Sequence, residues 1–128
     1  MAGKKTYLDG HVFDSKFEAG HYAYFKSLSK VKIIKLQPEF QLFEGFEYFD
    51  LKKNKIIKYR KMIYTGDFLI ELPDLPDIDK PIVVESKGFS RPDYEMRRKL
   101  FINKYNKEYY FFQSDKLKDC VDYFGKYK

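Results

Sequence analysis

The chain holds a single cysteine, Cys120, among its 128 residues. An intramolecular disulfide is therefore excluded and a reducing compartment fits best. One cysteine and two histidines also leave too few ligands for a thiolate zinc site. No stretch approaches the roughly 18 apolar residues that a membrane span requires, and the opening Met1-Ala2-Gly3-Lys4-Lys5 lacks an apolar h-region. A soluble cytoplasmic protein, neither secreted nor membrane-embedded, is expected. Internal repeats and low-complexity segments are missing, and the one proline-rich stretch, Pro73 to Pro81, is short and reads as a loop.

What is present is aromatic and basic. Thirteen Phe and twelve Tyr in a chain that is 44% hydrophobic supply a core, and the length suits one domain over residues 1–128. The formal charge is +6, with a pI near 9.2. Six Lys/Arg and no acid fall between Lys52 and Lys61, and the stretch from Arg91 to Lys107 is basic again. A basic surface carrying Tyr suits a polyanion such as nucleic acid, although the same composition also serves simple solubility.

Periodicity predicts a central mixed sheet flanked by helices, in the order α-β-β-β-α-β-α. Thr6 to Phe13 reads as a short strand or turn around Gly10. Ser15-Lys16-Phe17-Glu18 has the form of a capping box opening a helix to about Ser29, with Phe17, His21, Tyr24, Phe25 and Leu28 on one face. Leu36-Gln37-Pro38 ends the connection that follows. Glu39 to Leu51 and Ile56 to Leu72 are long strands joined near Lys53-Asn54, the second bent or bulged near Gly66. Ile82 to Lys87 is a buried strand. Ser90-Arg91-Pro92-Asp93 opens a helix to about Tyr105, with Tyr94, Phe101 and Tyr105 towards the core. Tyr109 to Gln113 is the last strand, and Ser114 is placed to cap a short helix through Phe124.

Asp67, Glu85 and Lys87 carry the chemistry. An apolar strand, Ile82-Val83-Val84, should not run into a carboxylate and an ammonium two residues apart without a reason. Strand alternation puts Glu85 and Lys87 on one face and Ser86 on the other. With Asp67 on a neighbouring strand, two carboxylates and the Ser86 carbonyl could hold Mg²⁺, and Lys87 could orient or deprotonate a water. A surface ion pair between Glu85 and Lys87 is the plainer reading. Glu18 either closes the capping box or points towards Asp67 and Glu85. Arg91, Arg97, Arg98, Lys99 and Lys104 form a basic helix suited to phosphates, or simply a solvated face. His11 and His21 read as packed residues, Asp74, Asp77 and Asp79 as turn residues, and Tyr109-Tyr110-Phe111-Phe112 as buried strand.

Five ordered blocks extend this picture: Gly10 to Ala19, Leu36 to Leu42, Tyr64 to Phe68, Val84 to Gly88, and Tyr94 to Phe101. Together they resemble a family of small phage and prophage proteins in the PD-(D/E)XK nuclease superfamily, similar to Holliday junction resolvases. The resemblance implies a restriction-endonuclease-like core and Mg²⁺- or Mn²⁺-dependent cleavage of DNA. It assigns Asp67, Glu85 and Lys87 to the catalytic motif, raises Glu18 to an active-site carboxylate, and places Gln37 near the site. Gly66 stands where the superfamily name has proline. The expectation is an endonuclease for branched DNA, acting as a homodimer because symmetric cutting needs two sites. A DNA-binding protein that does not cut, and a nicking enzyme or exonuclease, are the alternatives.

Overall fold

The computed structural model describes residues 5–13, 15–86 and 92–128. At the N-terminal side, β1 (Thr6–Leu8) and β2 (His11–Phe13) form a hairpin. It turns at Asp9 and Gly10, both in the left-handed region, with φ of 51° and 78°. Ser15 then caps α1 (Lys16–Ser27), its Oγ accepting the Glu18 N–H at 3.1 Å. The buried residues of α1 are Glu18, Ala19, His21, Tyr22 and Phe25. That is the spacing of a core-facing stripe, so Glu18 is turned inward by helical geometry.

The next forty residues make one long antiparallel ribbon. Its outgoing arm comprises β3 (Lys32–Leu36), β4 (Glu39–Phe43) and β5 (Phe46–Asp50). Its returning arm comprises β6 (Lys55–Tyr59), β7 (Met62–Thr65) and β8 (Phe68–Glu71), so that β5 pairs β6, β4 pairs β7 and β3 pairs β8. The register shifts between Ile33 and Lys35 and again between Gln41 and Phe43. Each shift leaves an extra residue, Ile34 or Leu42, on the outgoing arm, and such bulges bend a ribbon. The strand Lys32–Leu36 is not evident in the sequence, where this stretch reads as connection. It is short, and the bulge at Ile34 destroys the alternation that would reveal it.

Between β3 and β4 on one arm, and β7 and β8 on the other, the ribbon is held by two bonds. Gln37 N–H donates to Asp67 O at 2.9 Å, and Gly66 N–H to Pro38 O at 3.0 Å. Gln37 takes a φ of 51°, uncommon for a residue with a side chain. Opposite it, a Cβ on Gly66 would stand 2.8 Å from Val83 Cγ1. Glycine is needed here because the backbone passes against a buried, stiff valine.

After the ribbon come β9 (Ile82–Ser86), α2 (Pro92–Tyr105), β10 (Tyr110–Ser114) and α3 (Leu117–Phe124). The main sheet runs β10-β9-β8-β3, with β10 parallel to β9 and the other pairs antiparallel. The chain is thus a mixed α/β protein with three helices among the described residues. With each ribbon arm counted as one strand, the expected order is seen, preceded by the β1-β2 hairpin. Alternate residues of β9 enter different cores. Ile82 and Val84 pack with Phe25, Phe68 and Phe124, whereas Val83 packs with Tyr64 and Phe101.

Helix α2 begins at Pro92, as its sequence predicts; Ser90, the expected N-cap, lies outside the described residues. The cap expected of Ser114 is not made. Ser114 still belongs to β10 and is buried opposite Ser86. Asp119 Oδ2 instead accepts the N–H groups of Asp115 (2.9 Å) and Lys116 (3.2 Å) at the start of α3. No helix among the described residues is long and apolar enough to cross a membrane.

Gly66→Ala is expected to lower the unfolding free energy by about 1–3 kcal/mol, the usual range for overpacking a filled core. Urea denaturation of the variant beside the wild type measures it.

Candidate functional site

Asp67 follows Gly66 at the ribbon break and enters the sheet through its own N–H, which donates to Val84 O at 3.0 Å. Its side chain then meets the next strand. Oδ2 accepts the Ser86 N–H at 2.7 Å and the Ser86 hydroxyl at 2.8 Å. Oδ1 receives no hydrogen bond among the described residues. The Asp67 carboxylate is therefore held by one oxygen and open at the other.

Glu85 lies on β9 between Val84 and Ser86 and is 1% exposed. A carboxylate taken so far from water must be hydrogen-bonded, and Tyr64 O–H donates to its Oε1 at 2.6 Å. Burial first, then the nearby Glu85 carboxylate, pushes the Tyr64 phenol far above its ordinary range, so it remains a donor at any working pH. Tyr94 is pushed up in the same way, by burial first and then by Glu85. Both phenols also feel the charge of Asp67. Two carboxylates thus share one neighbourhood at the sheet end, walled by two tyrosines. Tyr94 O–H in turn donates to Gln113 Oε1 at 2.5 Å, and Gln113 is the register partner of Glu85.

On the α1 side, Glu18 is buried at 6% exposure. One turn on, His21 is wholly buried; its Nδ1 donates to Phe17 O at 2.8 Å, and Nε2 lies 2.7 Å from Ser114 Oγ. Burial lowers the His21 pKa, opposed by the bond to Phe17 O and by the charges of Asp67 and Asp119. A neutral imidazole follows, with Nε2 the unprotonated nitrogen; the one Ser114 hydroxyl proton is shared between Nε2 and Lys116 O, which lies 2.9 Å from Oγ. Cys120 S–H reaches the same hydroxyl at 3.3 Å, and burial pushes its thiol up to about 11. Ser114 sits beside Ser86 in register, so this cluster backs the serine that holds Asp67.

Asp67, Glu85 and Ser86 are therefore brought together, with Gln37 across the ribbon break from Asp67. Lys87 and Arg91 lie outside the described residues, as does Gly88. Among the described residues no three His, Cys, Asp or Glu side chains are grouped so as to hold a metal ion. Glu18 is buried on α1, one turn before His21. Two of the four cations of α2, Arg97 and Lys104, face the ribbon. Arg97 Nη1 donates to Ile63 O at 2.8 Å, and Lys104 Nζ to Gln41 O and Leu42 O at 3.0 and 3.3 Å. Arg98 pairs with Glu95, and Lys99 is exposed. Asp79 accepts from Tyr110 O–H at 2.8 Å.

Tyr64, Gln113, His21 and Ser114 are the neighbours that sequence reading misses. No local spacing links them to Glu85 or Asp67; only strand register and helix packing do.

A strand-end pair of acids, one buried and one pinned to the adjoining strand, on a mixed α/β sheet defines the class of site. The chain belongs to the family described as protein of unknown function (DUF1064), whose family model matches residues 1–119. No curated protein and no solved structure matches it.

Two outcomes are expected. Tyr64→Phe keeps the ring but strips Glu85 of a donor, lowering stability by about 1–3 kcal/mol in chemical denaturation. For His21, the unfolded pKa lies near 6.5 and the folded one below it. The unfolded chain takes up the extra proton first, so this contribution is complete above about pH 6.5 and declines as the pH falls towards the folded pKa. Denaturation midpoints between pH 5 and 8 should drop more steeply on acidification for the wild type than for His21→Gln.

Proposed function

We propose that the chain is a metal-dependent DNA endonuclease with a restriction-endonuclease-like core, selective for branched DNA such as a four-way junction. The observation that carries this reading is the pair at the sheet end. Asp67 is anchored through Oδ2 to Ser86 with Oδ1 open, and Glu85 is buried beside it on the same strand as that serine. A buried acid kept at a strand terminus beside a second acid is a costly arrangement for stability alone, and such arrangements cluster at functional sites.

The donor set fits a hard divalent cation. Asp67, Glu85 and the main-chain carbonyl of Ser86 would hold Mg²⁺ or Mn²⁺ through oxygen, the ligand type these ions prefer. The ion, when bound, supplies positive charge to a phosphodiester undergoing hydrolysis. The Ser86 N–H and hydroxyl orient Asp67, and Tyr64 orients Glu85. Lys87 would position or deprotonate the attacking water, and Glu18 would add negative charge from α1. Arg91, Arg98 and Lys99 would meet phosphates near the start of α2. Arg97 and Lys104 tie α2 to the ribbon and would add to the local positive field, and Gln37 would border the site opposite Asp67. Cutting both strands of a junction symmetrically needs two such sites, hence a homodimer.

Asp67→Ala should abolish Mg²⁺-dependent cleavage, and Lys87→Ala should lower it by about 10²- to 10⁴-fold, with circular dichroism unchanged. Four-way junction, flap, nicked, linear duplex and single-stranded DNA incubated with Mg²⁺ test the substrate class. Equal cutting of linear duplex removes the selectivity. A protein that binds DNA without cutting is the second reading, which the exposed cations of the β5-β6 ribbon would serve without any metal. Calorimetric titration with Mg²⁺ or Mn²⁺ decides between them: the nuclease binds the ion and Asp67→Asn does not, whereas silence from the wild type favours the second.

A further inference from the structure

The far end of the ribbon leaves the body of the protein. Strands β5 and β6 pack chiefly on each other and expose large apolar groups on both faces. Phe46 is 50% exposed, Tyr48 57%, Ile56 59% and Leu51, at the turn, 83%. A two-stranded ribbon alone is marginal in water. This one is braced by Phe46 stacked on Tyr59, with centroids 5.0 Å apart and rings within 17° of parallel. Its turn is held by Asp50, whose Oδ1 accepts the Lys53 N–H at 2.9 Å. Exposed apolar surface on a braced, protruding arm marks an interaction site.

Charge selects the partner. Lys52, Lys53, Lys55, Lys58, Arg60 and Lys61 are all exposed, against the acids Glu44, Glu47 and Asp50 on the same arm. None of the six basic residues takes part in an ion pair among the described residues. An identical arm from a second copy would be repelled by this surplus, whereas a polyanion is attracted. Shape narrows the choice further. The major groove of B-DNA admits a two-stranded β-ribbon, whereas the major groove of A-form RNA is too deep and narrow for side chains to read.

We infer that the β5-β6 ribbon is a DNA-gripping arm that enters the major groove of duplex DNA, with its cations on flanking phosphates and its aromatic faces against the groove. At about 3.3 Å per residue, the returning arm carries the turn at Asn54 at most roughly 40 Å from Asp67, near one helical repeat of B-DNA. The arm would thus hold a duplex about one turn away from the candidate site. It shares with the nuclease reading the expectation of a DNA ligand but stands on different residues.

Fluorescence anisotropy with a labelled DNA duplex in EDTA, over a series of KCl concentrations, tests the arm without any cleavage. The triple variant Lys52→Ala, Lys53→Ala, Lys58→Ala should weaken binding at least tenfold. Its plot of log affinity against log salt should be shallower by about 2–3, near 0.9 for each phosphate that is no longer neutralised. Tyr48→Ser should weaken binding several-fold at an unchanged salt slope, and an RNA duplex of matching sequence should bind the wild type more weakly. Unaltered affinity and slope in the triple variant overturn the proposal, as does equal binding of RNA. So does sedimentation showing that these variants alter only self-association. Arm-dependent binding by a wild type that cuts no DNA would keep the arm and discard the nuclease reading.

Discussion

Everything near the candidate site depends on β9 being covered on both faces. Ile82 to Ser86 are all buried, because β8 and β10 flank the strand while α1 and α3 on one side and α2 on the other close over it. A strand in that position can only be apolar, unless its polar side chains find partners within the protein. Glu85 and Ser86 are the polar exceptions, and their partners make the site: Tyr64 for the first, Asp67 for the second. Low-dielectric surroundings strengthen these bonds and make an unpaired polar group there costly.

The ribbon supplies the other half. Its two arms keep their ladder across the break at Gln37-Pro38 and Gly66-Asp67, so Asp67 is fixed in depth as well as in direction. Beyond the break α2 fastens the ribbon, with Arg97, Lys104 and Tyr105 all donating to carbonyls of β4 and β7 or the bulge at Leu42. Past that clamp the ribbon runs free as the β5-β6 arm. One continuous element therefore carries a candidate catalytic aspartate at its base and a basic aromatic arm at its tip, with the α2 contacts between them.

Much of the fold is legible in the residues. The capping serine before α1, the proline opening α2, the apolar run of β9 and the turn near Asn54 each act locally, within three or four residues, and the structure shows each of them. Lys32–Leu36 escapes notice because a bulge removes its alternation. Ser114 misleads for a related reason, since a serine before a helix is an N-cap signal only if its hydroxyl is not already engaged in the core beside His21.

By itself the sequence determined which residues could carry chemistry. Two acids, one of them placed directly after an apolar run, are conspicuous because burying charge is costly, and that cost is a property of residue type. Only the tertiary structure decided how they are held. Strand register sets Ser86 against Asp67 and Gln113 beside Glu85, and the α2 packing sets Tyr64 beneath Glu85, through packing between segments that no local spacing encodes. The arm divides the same way: its basic and aromatic composition is plain in the sequence. Its freedom from the body follows from where α2 stops fastening the ribbon.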